Sequence, residues 1–308
     1  MRIIEPKNPQ PNELINSSIP ESTVEIWSSS KSYSVGNQVR VFTDGSYQVY
    51  EAAIANVGQN PANAPVNQDG ASYWTPKGST ARWAMFDGSV NSPSVQDDGQ
   101  PLTFSYAVGP GGRVNSIALF NVIGTDITIY ATSELAGGEV YREERETQGS
   151  RGPGYWQFYF GETEVKKRFQ FFGIPPYPDT VIHVEVTPRG GVAQIGEAVF
   201  GQDFLIGTDE IGMQPRIKDY SINQFNEDFG YNTLVKRQTR RQLQISVVIP
   251  SERADIVFSR LEKLASVRVV WISDKYESGT IYGFYSDFTP THSSHPLVFA
   301  SLKIEGLI

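Results

Sequence analysis

The chain has 308 residues and no cysteine, so it can build neither a disulfide framework nor a thiolate metal site. For small β domains matured in an oxidising compartment that absence is unusual. Histidine is nearly as scarce, with 3 in all. His292 and His295 stand at an i, i+3 spacing in a Pro- and Ser-rich turn, not at the i, i+4 spacing that turns two rings to one helix face. No GxSxG elbow accompanies His183 or that pair, so no Ser-His-Asp triad is expected. Neither a metal nor a cofactor is expected. No apolar run approaches the ~20 residues that span a bilayer, and residues 1–22 lack the apolar core and small-residue cleavage pattern of a signal peptide. Membrane insertion is therefore not expected, and the chain is expected to be made and folded in the cytoplasm.

Positive charge is also in deficit: 26 Lys and Arg against 34 Asp and Glu give a net charge of −8. Coating nucleic acid demands a basic surface, so nucleic acid is not an expected partner. The basic run Lys236–Arg241 is read as lining a strand beside an acidic neighbour in an assembly, or as facing solvent. Acidic residues supply no pair with the separated pKa values of a glycosidase. Asp97 and Asp98 are adjacent in a Gly-flanked turn, and Glu143, Glu144 and Glu146 sit in the mixed run from Tyr141 to Gly152. No enzymatic activity is expected.

What the chain has in abundance is 28 Gly, 19 Pro, 15 Tyr and 17 Phe, the composition of short strands, many turns and aromatic packing. Its length suits several domains. Residues 1–22, with Pro6, Pro9, Pro11 and Pro20 among polar neighbours, read as an extended arm ordered against a partner or as a frayed tail. Residues 23–78 read as a small β module: a short strand Val24–Trp27, then Gln38–Thr43 turned by Asp44-Gly45 into Ser46–Ala53, and a polar loop closing on Tyr73 and Trp74. Residues 79–203 read as short strands separated by turns, among them Leu102–Val108, Val114–Val122, Asp126–Ala131, Tyr155–Phe160, Arg168–Phe172 and Thr180–Thr187, suiting a β-sandwich of jelly-roll type. In the last of these Ile182, Val184 and Val186 face the core while His183 and Glu185 face water. Residues 204–308 have a strand, a helix opening with Ser251 as N-cap and with Ala254, Val257, Leu261 and Leu264 at helical spacing, then three strands. The fold class expected is mainly β and multidomain, ending in an α+β domain with one main helix.

Three stretches carry resemblances. Trp27, Tyr33, Gly36, Val39, Gly45, Tyr47, Pro61 and Trp74 resemble the pattern of chitin-binding modules of carbohydrate-binding families five and twelve, with Asn37 where Asp is common and Tyr73-Trp74 where two Trp are common. Trp83–Gly88, Val114–Val122 and Val181–Pro188 look like parts of a galactose-binding-type jelly roll. Gln194–Gly212 and Ile217–Ser221 look like the joint of tail-tip and baseplate proteins of long-tailed bacteriophages, and the C-terminal α+β region is similar to the docking domains of such proteins.

Together the resemblances imply a structural virion protein of the distal tail, assembled in the host cytoplasm. It would dock on other tail or baseplate proteins and on copies of itself as a trimer or hexamer, and touch host-surface polysaccharide. The alternative is a carbohydrate-binding module protein of a cellular polysaccharide-degrading system. Flat rings take the C–H face of a pyranose out of water while amides align its hydroxyls. Candidate sugar-binding residues are therefore Trp27, Tyr33, Tyr73 and Trp74, with Asn37, Gln59, Asn60 and Asn63 as polar partners. So short a unit also needs aromatics for its own core: Tyr33 and Tyr73 are expected to be the exposed rings, Trp27 and Trp74 the buried ones.

Overall fold

The computed structural model describes residues 1–109, 112–149, 155–161, 165–226, 231–294 and 296–307. The protein is mainly β. Two compact units divide it: one gathers Met1–Pro6, Asn115–Ala118 and Val199–Ile308, the other Lys7–Val114 and Leu119–Ala198.

In the first unit the expected order of strand, helix and three strands is present as Thr239–Pro250, Ser251–Lys263, Val269–Ile272, Ile281–Ser294 and Leu297–Gly306. Leu243, Ile245, Val247 and Ile249 alternate onto one face of the sheet and share a core with Ala254, Val257, Leu261 and Leu264 of the helix. Ser251 is the first helical residue and not its cap. Pro250 takes the cap position, and the Ser251 amide donates to the Pro296 carbonyl at 2.8 Å.

The expected arm at residues 1–22 is corrected. Arg2–Pro6 is a strand held between residues 201–205 and Val270–Ile272, antiparallel to both. Ile3 and Ile4 are fully buried, as is Met1. The Met1 ammonium is paired with Asp209 and Asp274 and donates to the Gly207 carbonyl at 2.7 Å. Asp209 also accepts from Ser273 Oγ at 2.6 Å and from the Asp274 amide at 2.9 Å. Glu5 forms a two-pronged pair with Arg260 of the helix. The neighbouring strand passes so close that a Cβ on Gly201 would lie 1.9 Å from the Glu5 carbonyl oxygen, which only glycine tolerates.

In the second unit five antiparallel strands run in the order Gly138–Glu146, Asp126–Ser133, Val181–Val186, Leu102–Ala107 and Leu14–Ser17. The last strand comes from the other half of the expected arm. Alternation is strict: Ile127, Ile129, Ala131, Ile182, Val184, Val186, Leu102, Phe104 and Tyr106 are buried, while His183 and Glu185 point to the opposite face.

Gln38–Thr43, Ser46–Ala52 and Trp74–Ser79 form a three-stranded sheet in the same unit. Asp44 and Gly45 both have positive φ, 52° and 90°, the backbone of the tight hairpin turn that Asp-Gly favours. The boundary drawn at 78/79 falls inside this unit, where Trp83 meets Phe42 and Tyr47 edge-on at 5.4 and 5.6 Å.

Two strand expectations fail. Val24–Trp27 makes only a single bridge, Ile26 to Arg40. Tyr155–Phe160, aromatic enough to read as a strand, is a short helix with Tyr155, Trp156, Tyr159 and Phe160 exposed.

Because Ile3 is buried in the first unit's core, Ile3→Ala is expected to lower stability by about 2–5 kcal/mol in urea denaturation. A dispensable arm would change it by less than about 0.5 kcal/mol.

Candidate functional site

In the small module, strand and turn geometry divides the rings into two sets. Tyr33, Val39, Ala52 and Trp74 make a closed core, against which Trp27, Tyr50 and Tyr73 pack while staying partly exposed. Tyr33 meets Trp74 edge-on at 5.3 Å. The Tyr33 hydroxyl accepts from the Ser28 amide at 2.8 Å, and Trp74 Nε1 donates to the Gln59 carbonyl at 2.9 Å.

Tyr33 and Trp74 are each only 3% exposed, so neither can offer a face to a sugar. For Tyr33 this corrects the expectation of an exposed ring; Trp74 is buried as expected. The physical reason is that the hydroxyl of Tyr33 finds a backbone partner inside the module, which removes the penalty of burying it. Trp27, expected in the core, lies at its edge. Its Nε1 is covered and has no hydrogen-bond partner, so this indole is held less firmly than that of Trp74.

Asn37 is exposed, but its Oδ1 accepts from the Ser34 amide at 2.8 Å, and Asn60 Oδ1 likewise accepts from the Ala62 amide at 3.0 Å. Both side chains shape turns and keep their amide nitrogens for other partners. Tyr50 is the ring that sequence reasoning missed. Its place in a strand, one residue from Glu51 and facing the same cluster as Trp74, was readable only from the period-two pattern of Ser46–Ala52.

A second surface lies on the polar face of the five-stranded sheet. Strand register sets Arg142, Tyr130, His183, Ser105 and Asn16 in one row across it. The Arg142 guanidinium lies 5.0 Å from the Tyr130 ring centre, and Tyr130 stacks on His183 at 4.5 Å with planes 12° apart. The two imidazole nitrogens pair with Ser105 Oγ at 2.9 Å and Thr132 Oγ1 at 3.2 Å. Burial holds the His183 pKa below its ordinary 6.5. Ring faces are spent on one another here, and both imidazole nitrogens on hydroxyls of the same sheet.

Of the acidic residues weighed above for catalysis, several are held locally. Asp98 Oδ1 accepts from the Gln100 amide at 2.9 Å, and hydrogen bonds from Gln96 and Gln100 hold its pKa below the usual range, the opposite of a catalytic acid. Glu139 pairs with Arg142 and Glu143 with Arg145. Among the described residues no three His, Asp or Glu stand close enough together to hold a metal ion. The side chains of His292 and His295 lie outside the described residues. Of the basic run, Arg240 pairs with Glu305 of its own chain at 2.9 Å. No helix among the described residues is long and apolar enough to cross a membrane.

Two outcomes follow from this geometry. Trp74→Ala is expected to cost about 3–5 kcal/mol and Tyr73→Ala about 1 kcal/mol or less, read from denaturant midpoints. The unfolded state binds a proton at His183 more readily than the folded state, whose imidazole pKa is depressed. Stability is therefore expected to fall as pH drops below 6.5, with His183→Asn flattening that part of the profile.

No protein-family model matches the chain, and no curated protein matches it. Among solved structures it is similar to chitosan-binding module 1 of a chitosanase/glucanase from Paenibacillus sp. IK-5, at 15% identity and a TM-score of 0.26, over 39% of this chain and 82% of that one. At that TM-score the likeness carries no weight for ligand or function.

Proposed function

We propose that this chain is a non-enzymatic binding protein whose small module takes host-surface polysaccharide on the rings of Trp27, Tyr50 and Tyr73, and that it works at the tail tip or baseplate of a bacteriophage. The observation that carries the glycan reading is the division of rings in the module. Tyr33 and Trp74 close the core, and three further rings are braced against it while remaining partly open to solvent. A ring packed from behind loses little freedom when a pyranose settles on its outer face, and Asn37 and Asn63 are exposed polar residues of the same module.

The tail-tip placement rests on the sequence likeness of Gln194–Gly212 and Ile217–Ser221, with the α+β region as the docking end. Such a position imposes ring symmetry, which suits a trimer or hexamer and multiplies a weak site. The non-enzymatic reading is supported by acids that are ion-paired or held at low pKa in exposed turns.

A glycan array probed with the purified chain tests the binding reading. Selective binding is expected, with Trp27→Ala and Tyr73→Ala each weakening it about fivefold, the worth of ~1 kcal/mol per stacked ring. Absence of binding to every glycan, or undiminished binding by both variants, contradicts it. Antibody labelling of phage particles tests the placement separately, and label anywhere but the distal tail contradicts it.

A further inference from the structure

In the second unit Arg40 of the hairpin and Arg82 of the turn 80–83 both face the carboxylate of Glu21. Backbone pairing brings the two arginines to the same place. The Thr80 amide donates to the Tyr47 carbonyl at 2.9 Å, and the Trp83 amide closes the turn onto the Thr80 carbonyl at 2.9 Å. The Arg40 guanidinium lies 4.9 Å from the Tyr47 ring centre. The side chains of Arg40 and Arg82 are only 13% and 17% exposed, that of Glu21 36%.

A guanidinium carries five N–H donors, and one covered by protein needs acceptors for them. Here few donors are used. The Arg40 guanidinium makes one hydrogen bond among the described residues, to Glu21. Arg82 comes no closer than 3.9 Å to that carboxylate and makes no other polar contact among them. Glu21 is divided further, accepting from Trp83 Nε1 at 3.3 Å and from the Ser22 amide at 3.1 Å.

The Nε atoms of both arginines and Oγ1 of the buried Thr80 are covered and have no hydrogen-bond partner. They are three of the seven such side-chain atoms among the described residues. The cluster thus sets two positive charges against one negative, with the terminal nitrogens of Arg82 left open. Glu25, the next acid along the chain, is paired with Lys31.

We propose that Arg40 and Arg82 form a site for the anionic group of an acidic polysaccharide, a carboxylate or a phosphate, and that Glu21 is its built-in competitor. This rests on the glycan reading and names the class of glycan. The planar fork of a guanidinium matches the paired oxygens of either group. Glu21 stands in the stretch 20–23, outside any strand, so its carboxylate can give way without breaking a ladder. The cluster adjoins the ring site, since the Trp27 amide donates to the Arg40 carbonyl at 3.1 Å. In a chain of net charge −8, a local positive surplus fixes where an acidic polymer can approach.

Calorimetric titration of the full chain with a galacturonate oligomer and with its neutral methyl ester tests this, because esterification removes the charge and keeps the sugar backbone. The acid is expected to bind about tenfold more tightly, the scale of a hydrogen bond to a charged group, and to lose that advantage as salt rises. Arg82→Gln is expected to bring the acid down to the affinity of the ester. Glu21→Gln, which leaves Trp83 an acceptor, is expected to raise the affinity for the acid above that of the parent, a gain that a merely structural ion pair does not give. A glycerol phosphate oligomer is the second arm, and tighter binding of it than of galacturonate identifies phosphate as the group taken. Should Arg82→Gln not fold, Glu21→Gln decides alone. Binding of neither charged oligomer, equal binding of both and the ester, or no gain in folded Glu21→Gln overturns the proposal. Ester binding that persists without a charge preference leaves the ring site standing, whereas acid binding undiminished by Trp27→Ala and Tyr73→Ala removes the rings and keeps the anion site.

Discussion

Trp83 holds the second unit together. It is only 1% exposed and stands edge-on to Phe42 and Tyr47 of the hairpin, while Phe86, 5.9 Å away, carries the contact on to Phe104 of the five-stranded sheet at 6.0 Å. Each such ring pair adds about 0.5–1.5 kcal/mol beyond the area it buries, and the series joins two sheets into one core. Its indole nitrogen donates to Glu21 at 3.3 Å, and the same carboxylate pairs with Arg40 of the hairpin. The small module is therefore not a bead on a string. Its hairpin is clamped at the Trp83 end, and Tyr33 with Trp74 closes the other end. Trp27, Tyr50 and Tyr73 are left partly exposed at the margin of this core, and a ring packed from behind is the kind that loses least entropy on binding.

Much of this was legible because it is local. Asp44-Gly45 demands two positive φ values and has them; Leu243 to Ile249 alternates with period two; Ala254 to Leu264 repeats at helical spacing. What was not legible depends on partners far away in sequence. Arg2–Pro6 has only five residues and a terminal proline, and nothing in them announces neighbours near residues 201–205 and 270–272. The cluster that the buried Met1 ammonium and Asp209 form with Ser273 and the exposed Asp274 is equally invisible in one dimension. In the module, pattern alone identified an aromatic-rich core and rim but could not assign each ring. Which rings are inside was settled by hydrogen bonds, Tyr33 to Ser28 and Trp74 to Gln59, that required the fold to be known.

The Tyr155–Phe160 segment makes the same point from the other side. Aromatic residues favour strands because they pack well on a pleated surface, and a run of them reads as one. Here the run forms one turn and a half of helix with its rings tilted 31° to 88° to one another, so they share no plane on which a sugar chain could lie. The module's rings, by contrast, are braced by a core.

That contrast can be read directly from the five tryptophans of the chain, each of which gives its own indole N–H signal in a nitrogen–proton correlation spectrum. Titration with the oligosaccharide chosen by the array is predicted to shift the Trp27 signal, whose N–H has no partner in the protein, and to leave Trp74, Trp83 and Trp271 in place. Movement of Trp156 alone, or of no indole while binding is saturated, would contradict the account.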